Sequence, residues 1–164
     1  MAVWIVYLSL CLLFSMSGAE EVQHQKAARN TLCNNCPLGW AEYGCRCFKF
    51  FSTTVTWIDA EKTCLSYGSN LASVHNHEEY MFIQNMIRQQ TQSSTRTWLG
   101  GHDAVSENSW LWSNGKPMNF QLWAPGEPNN QEVPENCIEM NYGDSSNLND
   151  VRCSRNKPFV CGIN

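Results

Sequence analysis

From Glu127 to Cys137 the chain reads E-P-N-N-Q-E-V-P-E-N-C, and from Leu148 to Asp150 it reads L-N-D. This short span gathers Glu127, Asn129, Glu135, Asn149 and Asp150, side chains that each offer an oxygen to a hard cation. Calcium takes six to eight oxygens from carboxylates, amide and backbone carbonyls and water. A set of acids and amides of this size therefore leaves coordination positions free, and a vicinal pair of sugar hydroxyls could fill them. Asn, Asp, Gly and Pro also crowd into ordinary solvated turns, so the loop takes its meaning from its surroundings.

The surroundings are those of an α+β domain with a long irregular loop, Pro117 to Asn136, rich in Pro, Gly and Asn. On either side lie short apolar runs separated by turn signals: T-W-L-G-G from Thr97, S-W-L-W-S-N-G-K-P from Ser109, C-I-E-M-N-Y from Cys137 and P-F-V-C-G from Pro158. These read as strands, with Asn114-Gly115 as a hairpin turn. Upstream, Thr56 caps an amphipathic helix with Trp57, Ala60, Cys64 and Leu65 on one face and Gly68 as its stop. Asn76, with Glu79 three residues on, opens a second helix whose buried stripe is Phe82, Ile83, Met86 and Ile87. His75 and His77 lack a third ligand at helical spacing and mark the start of this helix rather than a metal site. At Cys36 a polar segment gives way to two aromatic-rich runs joined through Gly44, which predicts a hairpin and the start of the domain.

The 164-residue chain opens with an almost unbroken apolar run, Val3 to Met16, followed by Ser17-Gly18-Ala19. That pattern predicts a secretory signal peptide over residues 1–19; the run is too short to span a bilayer, although no Lys or Arg precedes it. Residues 20–35 are expected to be a flexible segment or propeptide, and residues 36–164 the folded domain. A secreted, extracellular protein without membrane insertion follows. The net charge of -4, with 16% charged residues and no basic cluster, excludes nucleic acid as a partner. Of nine cysteines, Cys11 falls in the signal peptide, and the other eight form an even set suited to a disulfide framework. In an oxidising compartment this reading outweighs a zinc knuckle built from C-N-N-C and C-R-C. No N-x-S/T sequon occurs, and neither do G-x-S-x-G or H-E-x-x-H. Glu127 with Glu135 is better explained as metal ligation than as an acid/base pair, so an enzyme is not expected.

C-P-L-G-W from Cys36, W-L-G-G from Trp98, W-L-W-S-N-G from Trp110, then E-P-N, E-N-C and L-N-D occur in this order. Together they resemble the C-type lectin-like domain over Cys36 to Cys161. The resemblance implies disulfides Cys36–Cys47, Cys64–Cys161 and Cys137–Cys153. It also implies that Glu127, Asn129, Glu135, Asn149 and Asp150 hold calcium, with the first four also meeting the sugar. A weaker second calcium site would use Asp103, Glu107, Asn130, Glu135 and Asn136, where Asn130 and Asn136 are amides in place of the carboxylates of calcium-rich members. In that family E-P-N accompanies equatorial 3- and 4-hydroxyls of the mannose type, while Q-P-D accompanies galactose, often with an aromatic residue in the loop. Asn130 to Pro134 contains no aromatic residue. The chain also resembles the small secreted lectins of fish, the lactose-binding skin-mucus lectins of eels among them, which points instead to galactosides. If lactose is the ligand, the sugar binds in a different pose or without calcium.

Cys33 and Cys45 lie outside the set implied by that family. Across an extended hairpin bridged by Cys36 and Cys47 they would sit roughly 16 Å apart at about 3.3 Å per residue, beyond disulfide reach of about 7 Å. Interchain bonds and a disulfide-linked homodimer are therefore expected, with a nested pairing of Cys33–Cys47 and Cys36–Cys45 as the alternative. Linked sites raise avidity, so agglutination of microbes or cells through surface glycans, in mucosal or innate defence, is the expected activity. The competing readings are a fish antifreeze protein on the same fold and a protein-binding module.

Overall fold

At Gly44, whose φ of 61° lies in the left-handed region, the chain reverses and pairs β1 (Ala41–Tyr43) with β2 (Arg46–Val55), Glu42 opposite Cys47. This hairpin opens the part of the computed structural model that is described, residues 36–164. Six further strands follow: β3 (Asn70–Leu71), β4 (Thr97–His102), β5 (Leu111–Trp112), β6 (Cys137–Tyr142), β7 (Asn147–Val151) and β8 (Lys157–Ile163). They form one sheet ordered β1-β2-β8-β4-β6-β7, with β3 against β8 and β5 against β4. All pairings are antiparallel except β4 with β8, where Trp98 faces Phe159.

The first helix, α1 (Trp57–Ser66), starts where predicted, with the Thr56 hydroxyl accepting from the Asp59 N–H at 3.4 Å. Its buried face differs from the expected one: Leu65 is exposed, and Glu61 is buried with Ala60 and Cys64. Glu61 can sit inside because its carboxylate accepts from Asn70 Nδ2 (2.6 Å), the Leu71 N–H (2.8 Å) and Ser113 Oγ (3.0 Å). A buried acid costs little when such partners are supplied. The second helix, α2 (His77–Thr91), is capped by Asn76, whose Oδ1 accepts from the Glu79 N–H at 2.8 Å. Glu79 itself accepts from the His75 N–H and pairs with Arg46, tying the helix start to β2. Ile83, Met86 and Ile87 are buried as expected, whereas Phe82 is partly buried against Tyr43 and Phe48.

Two apolar clusters lie on the sheet. One packs α2 against Phe48, Leu99, Trp112, Ile138, Met140, Leu148 and Val160. The other packs α1 against Leu71, Trp98, Phe159 and Cys161. Each fully buried aliphatic or aromatic side chain contributes about 1.5–3 kcal/mol. The glycines of W-L-G-G have no room for a side chain: a Cβ on Gly100 would lie 2.7 Å from the Leu71 carbonyl oxygen, and one on Gly101 would lie 2.4 Å from Ile138 Cδ1.

The three implied disulfides are present, Cys36–Cys47, Cys64–Cys161 and Cys137–Cys153. The second ties α1 to β8 and the third joins the start of β6 to the segment after β7. Each contributes on the order of 2–4 kcal/mol by restricting the unfolded chain. Cys45 is also disulfide-bonded. The other six described cysteines pair among themselves, and the interchain bonding expected of Cys33 and Cys45 turns on Cys33, which lies outside the described residues. After Cys36 the chain turns, with the Trp40 N–H donating to the Pro37 carbonyl at 3.0 Å and Gly39 at φ 81°. Cys33, the signal peptide and segment 20–35 lie outside the described residues. Among the described residues, no helix is long and apolar enough to cross a membrane.

Candidate functional site

Strands β6 and β7 run antiparallel with Glu139 opposite Asn149 and Ile138 opposite Asp150. The L-N-D triplet is thus held on a regular strand, while E-P-N lies on the loop that folds over it. Asp150 is wholly buried and accepts from the N–H groups of Asn129 (3.1 Å) and Asn130 (2.9 Å), clamping the loop just after the cis Glu127–Pro128 peptide. Asn129 Oδ1 accepts from the Gln131 N–H at 2.7 Å, and Asn130 Oδ1 from the Glu135 N–H at 3.0 Å. These bonds bring Glu127, Asn129, Glu135 and Asn149 onto the wall of one open pocket of about 410 Å³.

The electrostatics around Glu127 favour a cation. Burial pushes the Glu127 carboxyl up to about 7, aided by Asp150 at hydrogen-bonding range and by the negative charges of Asp150, Glu135 and Glu139. Its Oε2 is buried and has no hydrogen-bond partner. A buried carboxylate oxygen left unsatisfied is costly, and a metal ion among these oxygens satisfies it. The donor set is all oxygen, as calcium requires. Among the described residues, no three His, Cys, Asp or Glu side chains form such a group by themselves; the set needs its amides.

The residues expected for a second ion are tied together by hydrogen bonds. Asp103, 1% exposed, accepts from Asn136 Nδ2 at 2.9 Å and from the Asn108 N–H at 2.8 Å. Glu107 Oε1 accepts from Asn130 Nδ2 at 2.6 Å. Amide N–H groups of Asn136 and Asn130 thus join both acids of this set. Glu135 lies on the main pocket instead.

Sequence reasoning missed Glu139, Arg96, Lys157 and Tyr142. Glu139 is wholly buried; it accepts from Asn149 Nδ2 at 2.8 Å, from Arg96 Nε at 2.8 Å and Nη2, and from Lys157 Nζ at 2.7 Å. A carboxylate can only accept, so it fixes which end of the Asn149 amide is nitrogen and leaves Oδ1 outside that bond. The Arg96 guanidinium lies 4.7 Å from the Tyr142 ring centroid, and both line the pocket with Lys157 and Arg155. The lone acid in C-I-E-M-N-Y was the available signal.

Comparison with known proteins bears on the family and the fold. The family described as Lectin C-type domain matches residues 53–163. Ladderlectin of Oncorhynchus mykiss is 37% identical over 96% of this chain and 92% of its own length. Lactose-binding lectin l-2 of Anguilla japonica is 37% identical over 79% of this chain and 80% of its own. The solved structure of a herring type II antifreeze protein superposes with a TM-score of 0.72 at 31% identity, covering 78% of this chain and 98% of that one. On the matched residues, the fold and the disulfides, this chain is a member of the C-type lectin family.

Proposed function

We propose that the protein is a secreted carbohydrate-binding lectin that recognises glycans on microbial or cell surfaces through calcium held by Glu127, Asn129, Glu135, Asn149 and Asp150. The observation that carries this reading is the partnerless buried Oε2 of Glu127 inside a pocket walled by three of the other ligands. When bound, the ion supplies charge and open coordination positions for two vicinal hydroxyls. The chain's own groups then divide the work: the carboxylates of Glu127 and Glu135 accept from those hydroxyls, while the amides of Asn129 and Asn149 donate. Asn149 has one N–H committed to Glu139 and one left for the sugar. The second set, Asp103, Glu107, Asn130 and Asn136, works as a metal-free brace, because its amides supply the positive ends.

The donor and acceptor order of E-P-N favours equatorial vicinal hydroxyls of the mannose type. A galactoside reading is favoured by a different observation: the Tyr142 ring on the pocket wall supplies, from β6, the aromatic surface that the loop lacks, and a relative is named for lactose binding. Glycan-array binding with and without chelator tests both. The calcium reading requires loss of binding in chelator, and a galactoside-only profile selects the second sugar class. The antifreeze alternative is excluded by absence of thermal hysteresis and supported by its presence.

A further inference from the structure

We infer that the same pocket carries a subsite for an acidic substituent of the glycan, a sulfate or carboxylate at the exocyclic C6 position, built from Arg96, Lys157 and Arg155. The inference rests on the sugar-binding reading above and adds the ligand's charge. All three cations line the pocket together with Glu127, Asn129, Glu135 and Asn149. One surface thus runs unbroken from the proposed ion ligands to the basic wall.

The wall has more positive charge than it neutralises internally. Arg96 and Lys157 share the single carboxylate of Glu139. Arg155 and Arg152 share Glu132, with nitrogen–oxygen distances of 2.5 and 3.8 Å. On each anion a second cation is left over. Arg96 commits Nε and Nη2 to Glu139, its Nη1 has no hydrogen-bond partner among the described residues, and its side chain is 46% exposed. The Tyr142 ring beneath the guanidinium restricts its orientation, which suits recognition of a planar or tetrahedral oxyanion. The Arg155–Glu132 pair is exposed on both sides and contributes little, so an incoming oxyanion can take Arg155 over.

Glu127 and Glu135 line the same pocket and, with Asp150 beside Glu127, carry the reverse sign. An acidic group is repelled by these carboxylates and attracted to Arg96 and Arg155, which orients the sugar. With the ring's vicinal hydroxyls on the ion, the exocyclic carbon is the position left to bear the acid. The ligand class is therefore a 6-sulfated or uronic sugar in an otherwise neutral glycan.

The test compares, by titration calorimetry in calcium, mannose and galactose with their 6-sulfates and with mannuronate and galacturonate. For the sugar that binds, the 6-sulfate or the uronate should bind about fivefold tighter, the upper end for an exposed ion pair, and the advantage should shrink with added salt. The two acidic arms separate sulfate from carboxylate recognition. In Arg96→Gln the ratio of acidic to neutral affinity should fall below twofold, and Arg155→Gln should lower it in part. Taking the ratio cancels any loss common to both ligands. Equal or weaker binding of both acidic sugars by the unaltered protein overturns the inference while leaving the sugar site standing, as does a ratio that survives both substitutions. If neither the neutral nor the acidic sugars bind in calcium, the sugar-binding reading falls and takes this inference with it.

Discussion

Asn149 Nδ2 donates to Glu139 Oε1 at 2.8 Å, and Glu139 is wholly buried between Arg96 and Lys157. One cross-strand pair of β6 and β7 thus links a proposed ion ligand to a buried charge cluster. Outer partners that orient a ligand typically matter about 10–100-fold for metal affinity. Glu139→Gln should lower calcium affinity by that order, measured by titration calorimetry on the folded variant. It should also destabilise the protein by about 3–5 kcal/mol, because two cations lose their buried counter-charge. Unchanged calcium affinity in a folded Glu139→Gln protein would mean that Asn149 is oriented by other contacts.

The ion-free protein should be less stable at neutral than at mildly acidic pH on account of Glu127. Its carboxyl titrates at about 7 when folded, against an ordinary 4.5. Between those values the folded state holds a proton that the unfolded chain has released, so stability falls as pH rises through this window and levels off above about 7. His75, whose pKa is lowered first by burial and then by Arg46, acts in the opposite direction. The measurement is therefore denaturant unfolding in chelator at pH 5 and pH 8 for the unaltered protein and for Glu127→Gln. The difference between the two proteins should be larger at pH 8, where Glu127 carries its uncompensated charge.

Calcium stoichiometry should be one per chain and should rise to two when Asn130 and Asn136 are both replaced by Asp. In the present chain their amides donate to Glu107 and Asp103. Replacing each amide with a carboxylate removes the internal donor and adds a ligand. The same double substitution should lower the unfolding temperature in chelator, since carboxylates then face one another without an ion. A stoichiometry that stays at one sinks the view that these amides take the place of a metal.

Gly100→Ala and Gly101→Ala should each cost about 1–3 kcal/mol through overpacking, read as a drop in thermal midpoint. The two differ in what they strike. Gly100 faces the Leu71 carbonyl, which is backbone, whereas Gly101 faces the Ile138 side chain. Ile138→Val should therefore partly rescue Gly101→Ala and leave Gly100→Ala unrescued.

Much of the architecture was readable before any coordinates. Thr56 and Asn76 announced both helices because caps act locally, and Gly44 announced the hairpin because a tight reversal needs a left-handed residue. The misreadings came from partners distant in sequence. Leu65 looked like core and Glu61 like surface until Asn70, Leu71 and Ser113 arrived to satisfy the acid.

The sequence by itself determined the kind of chemistry: an all-oxygen set in Glu127, Asn129, Glu135, Asn149 and Asp150, set in a disulfide-stapled α+β domain, because ligand identity and local turn chemistry are written residue by residue. Only the tertiary structure decided how that set is supported. Arg96 on β4's approach, Glu139 on β6, Asn149 on β7 and Lys157 on β8 meet through the sheet's pairing, and buried charges find their partners only when strands remote in sequence become neighbours.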